Sequence, residues 1–234
     1  MEEETDRVTL HGMWASSYSK RVEMALKIKG MPYEDVEEDL RNKSPLLLHP
    51  LLYWEYTDEA WENTSRLRPV DPYQGAKVRF WVSFIQQQLF ESMGKVILSD
   101  EEAQEKAVEE VREKMKVLEE SIKKKSLQRT FRPVPFKLKT CTSPHYLVLN
   151  FYQINRNGKK LEFMDVLVST TFSTYKAYEG VLGVKVLEPE KNPLIYTRVT
   201  NLHELPMVQE LLPPHDKLVA ILQGIRQDAL KSSS

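Results

Sequence analysis

Ser16 and Ser17 stand side by side in "GMWASSYSKRVEMALKIKGMP" (12–32), just ahead of a run with helical periodicity. A hydroxyl at a helix start accepts one of the free N–H groups of the first turn. The same place suits another chemistry. A helix N-terminus is partially positive, and a hydroxyl there can donate to an anion such as a thiolate, the nucleophilic form of a thiol. The residues alone leave both readings open, with capping the commoner of the two. Cys141 is the only cysteine, which excludes an internal disulfide or a Cys-based zinc cluster, and no neighbour would activate it. No metal site is expected.

The elements that must position Ser16 are legible around it. Val8 to His11 is a short β-prone run, and Val22, Ala25 and Leu26 then recur at helical spacing. Lys27, Lys29, Gly30 and Pro32 punctuate the end of that helix, with Gly30 suited to a left-handed cap. "YEDVEEDL" reads as an edge-type strand, completing a βαβ unit. Leu51 to Trp61 reads as one short helix after Pro45 and Pro50, and "RLRPVDPYQ" as a linker whose Asp71 can cap the next helix.

From Tyr73 the pattern turns helical. Val78, Trp81, Phe84, Ile85 and Leu89 share one broad apolar face, while Val108, Val111, Met115, Leu118 and Ile122 form a narrow stripe among Glu and Lys. A helix near Met164 buries Val166, Leu167 and Phe172. Another opens with Asn192 as cap and Pro193 at its first position. Pro206 restarts the chain, and a last helix over 217–230 places Leu218, Leu222 and Ile225 on one side. A small α/β domain followed by an all-helical domain is the architecture these patterns predict.

The chain has 234 residues and a formal charge of −1, but the charge is uneven. No acidic residue lies between Glu120 and Glu162, an interval with ten Lys and Arg residues. No stretch approaches the roughly 18 apolar residues of a membrane span, so no membrane partner is expected. The acidic start "MEEETDRVTL" reads as neither a secretory signal nor a transit peptide. With a single cysteine, a reducing cytosolic setting fits best.

In this order, "LHGMWASSYSKRVEMALKIKGMPYE", "EEDLRNKSPLLL", "RPVDPYQGAKVRFWVSFI", "LEFMDVLV" and "ELPMVQELLPPHDKL" resemble a tau-class glutathione transferase, a plant class. The resemblance implies a thioredoxin-like glutathione-binding domain over 1–62, incomplete here, a linker over 63–72, and a C-terminal helical-bundle domain over 73–234. It implies glutathione as co-substrate and a homodimer. The serine of the class phrase W-x-S-P-[FY] falls on Ser16 in "WASSY", so Ser16 is the expected donor to the glutathione sulfur. The usual proline is Ser17, which should loosen the loop without removing the hydroxyl. Lys43 matches a lysine that reaches the glycyl carboxylate. Met13 and Phe90 match walls of the second-substrate site, although both also suit a core.

Two departures stand out. After "SPLLL" the family has a cis-proline strand, a second strand and a Glu-Ser pair at the next helix start. Here "HPLL" leads almost directly to "YWEYTDEAW", leaving no room for two strands. The resemblance therefore implies that much of the glutathione site is missing and that the first domain is poorly packed, with an uncovered helix face. The other departure is a basic insertion of about 125–160, which leaves Glu162 where a small N-cap residue belongs and so weakens the cap at Asp165.

Three functions follow as expectations. The first is a transferase joining the glutathione thiolate to small electrophilic, apolar substrates in detoxification and stress response. The second is a non-catalytic relative that binds small apolar ligands. The third is an anion- or nucleic-acid-binding module through 123–160, with aromatics for stacking. For that interval, an irregular loop outweighs the nucleic-acid reading.

Overall fold

The structure, a computed structural model, describes residues 8–39, 42, 57–61, 64–124 and 161–232. Pro45, Pro50, Cys141 and 125–160 lie outside the described residues, as does the part of the expected 51–61 helix before Thr57.

β1 (Val8–Gly12) and β2 (Tyr33–Glu37) are parallel, in register from Val8 opposite Tyr33 to Gly12 opposite Glu37. Between them runs α1 (Ser17–Lys29), capped by Ser16 and closed by Gly30 at φ 68°, a left-handed angle that glycine adopts without strain. Among the described residues the sheet has two strands. The helix face expected to be uncovered is instead closed. Met24, Ala25, Leu26 and Ile28 are fully buried. Met24, Ala25 and Ile28 share one core with the helical domain, whose helices supply the wall. Burial of apolar surface does not depend on which domain provides the cover.

Short α2 (Thr57–Ala60) ties this unit to the linker. The Asp58 carboxylate accepts the N–H groups of Leu67 and Arg68 and pairs with Lys29 at 2.8 Å, deep in the interior. Asp71 caps α3 (Pro72–Ser83), accepting the Gln74 N–H at 2.8 Å as its position implies. A π-helical segment, Phe84–Phe90, then leads into α4 (Glu91–Leu98). The wider π turn is served from outside: the Gln88 carbonyl accepts from Ser92 Oγ and from Lys114 Nζ.

α5 (Glu101–Lys123) buries the predicted stripe of Val108, Val111, Met115, Leu118 and Ile122. It is followed by α6 (Phe163–Thr171), α7 (Tyr175–Leu182), α8 (Pro193–His203), α9 (Pro206–Leu211) and α10 (His215–Ser232). α6 is central, buried at every position, with α1, α3 and α8 around it. Lys123 and Lys124, the described start of the basic interval, pair with Glu119 and Glu120.

Three details correct the sequence reading. α8 does begin at Pro193, but Asn192 makes no side-chain cap; buried Glu119 on α5 accepts the N–H groups of Leu194 and Ile195, each at 3.1 Å. The start of α6 keeps its cap despite Glu162, because the Asp165 carboxylate accepts the Glu162 N–H at 2.9 Å and is itself paired with Arg198. Ile225 does not join Leu218 and Leu222 in the core but is 43% exposed. In α10, burial stops about one turn before the sequence pattern does.

The Lys29–Asp58 pair generates a stability prediction. Burial favours the neutral Asp58 carboxyl, but Lys29 and the two backbone N–H groups outweigh it and hold its pKa below the ordinary value. Such a carboxylate stabilises the fold above its unfolded pKa of about 3.9 and loses that contribution as pH falls through the folded value. Asp58→Asn leaves Lys29 buried and unpaired, and should cost roughly 3–5 kcal/mol in urea unfolding at neutral pH. Below about pH 3.9 the gap between variant and wild type should narrow.

Candidate active site

The loop before α1 is held from four sides. Trp14 N–H donates to both carboxylate oxygens of Glu37, at 3.1 Å each. Met13 N–H donates to Ser19 Oγ at 3.2 Å, Ser16 N–H to the Met13 carbonyl at 2.9 Å, and Glu38 N–H to the Gly12 carbonyl at 2.8 Å. Glu38 in turn pairs with His11 at 2.8 Å. The Trp14 and Ala15 side chains pack on Ile97, Ala177, Leu218 and Leu222, contributed by α4, α7 and α10. A loop of the first domain is thus seated on the second.

Ser16 emerges from this loop half-buried, with φ −78° and ψ 116°. Its Oγ accepts the Ser19 N–H at 3.3 Å. A serine hydroxyl has two lone pairs and one hydrogen. The cap uses a lone pair, so the hydrogen remains available to an anion. Capping and anion binding are compatible at this residue rather than rivals. The first turn of α1 holds no acidic side chain, so its positive end is not neutralised from within.

Phe90, at the end of the π-helical segment, meets Tyr18 edge to face with ring centroids 5.7 Å apart. Phe90 therefore packs on the first turn of α1 at Tyr18, two residues beyond Ser16. Met13 is half-buried on the same loop. Lys43 lies outside the described residues. Sequence reasoning missed Glu37, Tyr18 and Arg21. Glu37 and Arg21 look like solvated charges in the sequence, and only the pairing of β1 with β2 brings Glu37 to Trp14. Among the described residues a small cavity of about 10 Å³, enough for one water, lies inside the helical domain between Met93, Val96, Val111, Tyr178 and Leu182.

Solved structures with this architecture include glutathione transferases. The tau-class glutathione S-transferase of mango, Mangifera indica, superposes with a TM-score of 0.74 at 24% identity, over 94% of this chain and 99% of that one. Rice GST1 in complex with glutathione gives 0.73 at 21% identity, over 96% and 98%. These establish the fold: a thioredoxin-like domain followed by a helical domain, with a small two-stranded sheet among the described residues.

Sequence comparison establishes the family. Glutathione S-transferase U10 of Arabidopsis thaliana is 38% identical, with all of this chain and 99% of the relative aligned. Glutathione S-transferase U9 of the same plant is 36% identical over 98% and 95%. No protein-family model matches the chain. The chain belongs to the tau class of the glutathione S-transferase family. The alignment with the first relative spans 254 positions, 20 more than the chain's 234 residues, so about that many positions of the relative have no counterpart here.

Gly12 generates a prediction for the loop. A Cβ added there would lie 2.6 Å from Ser19 Oγ and 2.7 Å from Ser19 Cβ, so no rotamer of Ser19 relieves the contact. Gly12→Ala should therefore displace the start of α1 and cost about 1–3 kcal/mol, read as a lower melting midpoint by circular dichroism.

Proposed function

We propose that this chain conjugates the glutathione thiolate to small electrophilic, apolar molecules, with Ser16 holding the sulfur. The observation that carries the reading is the uncommitted Ser16 hydrogen at a helix start without acidic residues. A free thiol titrates near 8.5, and a hydroxyl donor plus the helix N-terminus favour its anion. The thiol proton leaves to solvent. The thiolate then attacks the electrophile, a carbon–sulfur bond forms, and the leaving group departs with its electron pair. Met13 and Phe90 are the proposed walls for the apolar partner, and Lys43 the proposed contact for the glycyl carboxylate. Detoxification or stress response in the cytosol suits such chemistry. Among the described residues no helix is long and apolar enough to cross a membrane.

We also propose a homodimer. Tyr73 and Phe80, 65% and 61% exposed, lie seven residues apart on α3 and so share a face. Exposed aromatics repeated along one face favour a self-complementary contact. Phe80→Glu should then shift the sedimentation profile from dimer toward monomer; an unchanged profile would remove this face from the interface.

Ser16→Ala separates capping from chemistry. Losing the cap should cost about 1 kcal/mol in thermal or urea unfolding. Loss of the donor should lower conjugation of a chlorodinitrobenzene electrophile by roughly 10²–10³-fold, while glutathione affinity changes little. Full activity in the alanine variant would contradict the proposed role.

A further inference from the structure

Arg21 takes no part in the reading above, yet it is the largest fully buried side chain of the described residues. It stands on α1 five residues beyond Ser16. Its Nε donates to Thr170 Oγ1 at 3.3 Å and its Nη2 to Thr171 Oγ1 at 3.1 Å, both at the end of α6. Nη1 is buried without a hydrogen-bond partner. Among the described residues no carboxylate pairs with the guanidinium. Two rings cover it instead: its Cζ lies 4.7 Å from the Tyr18 centroid and 5.8 Å from that of Phe90.

A cation in this setting is expensive to bury, and a packed apolar side chain of similar volume would fit at lower cost. Burial lowers its pKa to about 10, so the group remains charged at neutral pH. Hydroxyls, ring faces and the negative end of α6 compensate it in part. Its position indicates what the remaining charge can act on. Side chains on a helix lean toward the helix N-terminus, and five residues span roughly 7.5 Å along the axis. The guanidinium lies against the ring of Tyr18, two residues from Ser16. In a water-excluded interior a unit charge acts strongly over such a range.

Resting on the reading of Ser16 as the thiolate holder, we infer that Arg21 is a positioning residue. Its buried charge supplies part of the field that keeps a Ser16-held thiolate ionised, and Tyr18 and Phe90 form the lid that keeps water from that charge. The thiol proton goes to solvent, and Arg21 neither gains nor loses one. The lid also links the two substrates, because Phe90 lines the proposed apolar side. A purely mechanical clamp between α1 and α6 is the competing role, and it makes no demand on the charge.

The test is a pH titration of glutathione bound to the full chain, followed by the ultraviolet absorbance of the thiolate. Wild type, Arg21→Met and Arg21→Lys are compared, beside the pH profile of kcat/KM. Arg21→Met, which fills the space without the charge, should raise the bound thiol pKa by about one pH unit. Its conjugation rate should fall about tenfold at neutral pH and recover in alkali. Arg21→Lys keeps the charge, loses the planar fork, and should titrate near wild type. A folded Arg21→Met with the wild-type thiol pKa and equal rate loss at every pH would overturn the proposal in favour of the clamp. If Arg21→Met does not fold, Arg21→Gln, which keeps a polar head for Thr170 and Thr171 without the charge, decides: a thiol pKa raised by about one unit supports the charge, and an unshifted one overturns it. A wild-type chain that binds glutathione without ionising it overturns the Ser16 reading, and this one with it, before any Arg21 variant is measured.

Discussion

The packing of α1 against α6 decides where the N-terminus of α1 points, and the site depends on that direction. Met24, Ala25 and Ile28 have their cover from the helical domain, and Arg21 adds two hydrogen bonds to the end of α6. A two-stranded sheet alone could not hold a helix in place, since isolated strand pairs are marginal in water. Here the larger domain does that work. It also brings Phe90 over Tyr18 and seats Trp14 and Ala15 on α4, α7 and α10. The helix that Ser16 caps is therefore held by the helical domain as well as by its own two strands.

At Ser16, local folding and the proposed chemistry call on different parts of one group. The oxygen closes the helix start by accepting the Ser19 N–H, and this holds the hydroxyl in place. The hydrogen is not used by the cap. Preorganisation of this kind matters because an unpositioned thiolate gains little over one in solution. Lys20, the nearest cation in sequence, is tied to Glu23 at 2.6 Å, so it is already engaged within α1.

What the sequence made legible were features with local causes. The Gly30 cap, the Asp71 cap, the Pro193 start and the stripe from Val108 to Ile122 each follow from a few neighbouring residues, and each is found. Ser16 could be singled out, but its two readings could not be reconciled until the hydrogen bonds were placed. Features that depend on distant partners stayed hidden. Glu119 serves the start of α8 across more than seventy residues, and no spacing rule points to it. Arg21 and Asp58 read as solvated charges until the elements around them are known. The π-helical turn leaves no mark in an apolar pattern, since Ile85 and Leu89 are buried under either helical register. The uncovered face expected for α1 was an error of reference, because it considered the sheet and not the helices opposite.

The most direct test of the account is calorimetric titration of the intact chain with glutathione, in two buffers of different protonation enthalpy. The account predicts saturable binding near neutral pH with release of protons to the buffer, because the bound thiol ionises at the start of α1. Binding without proton release, or no binding by a chain shown to be folded, would contradict it.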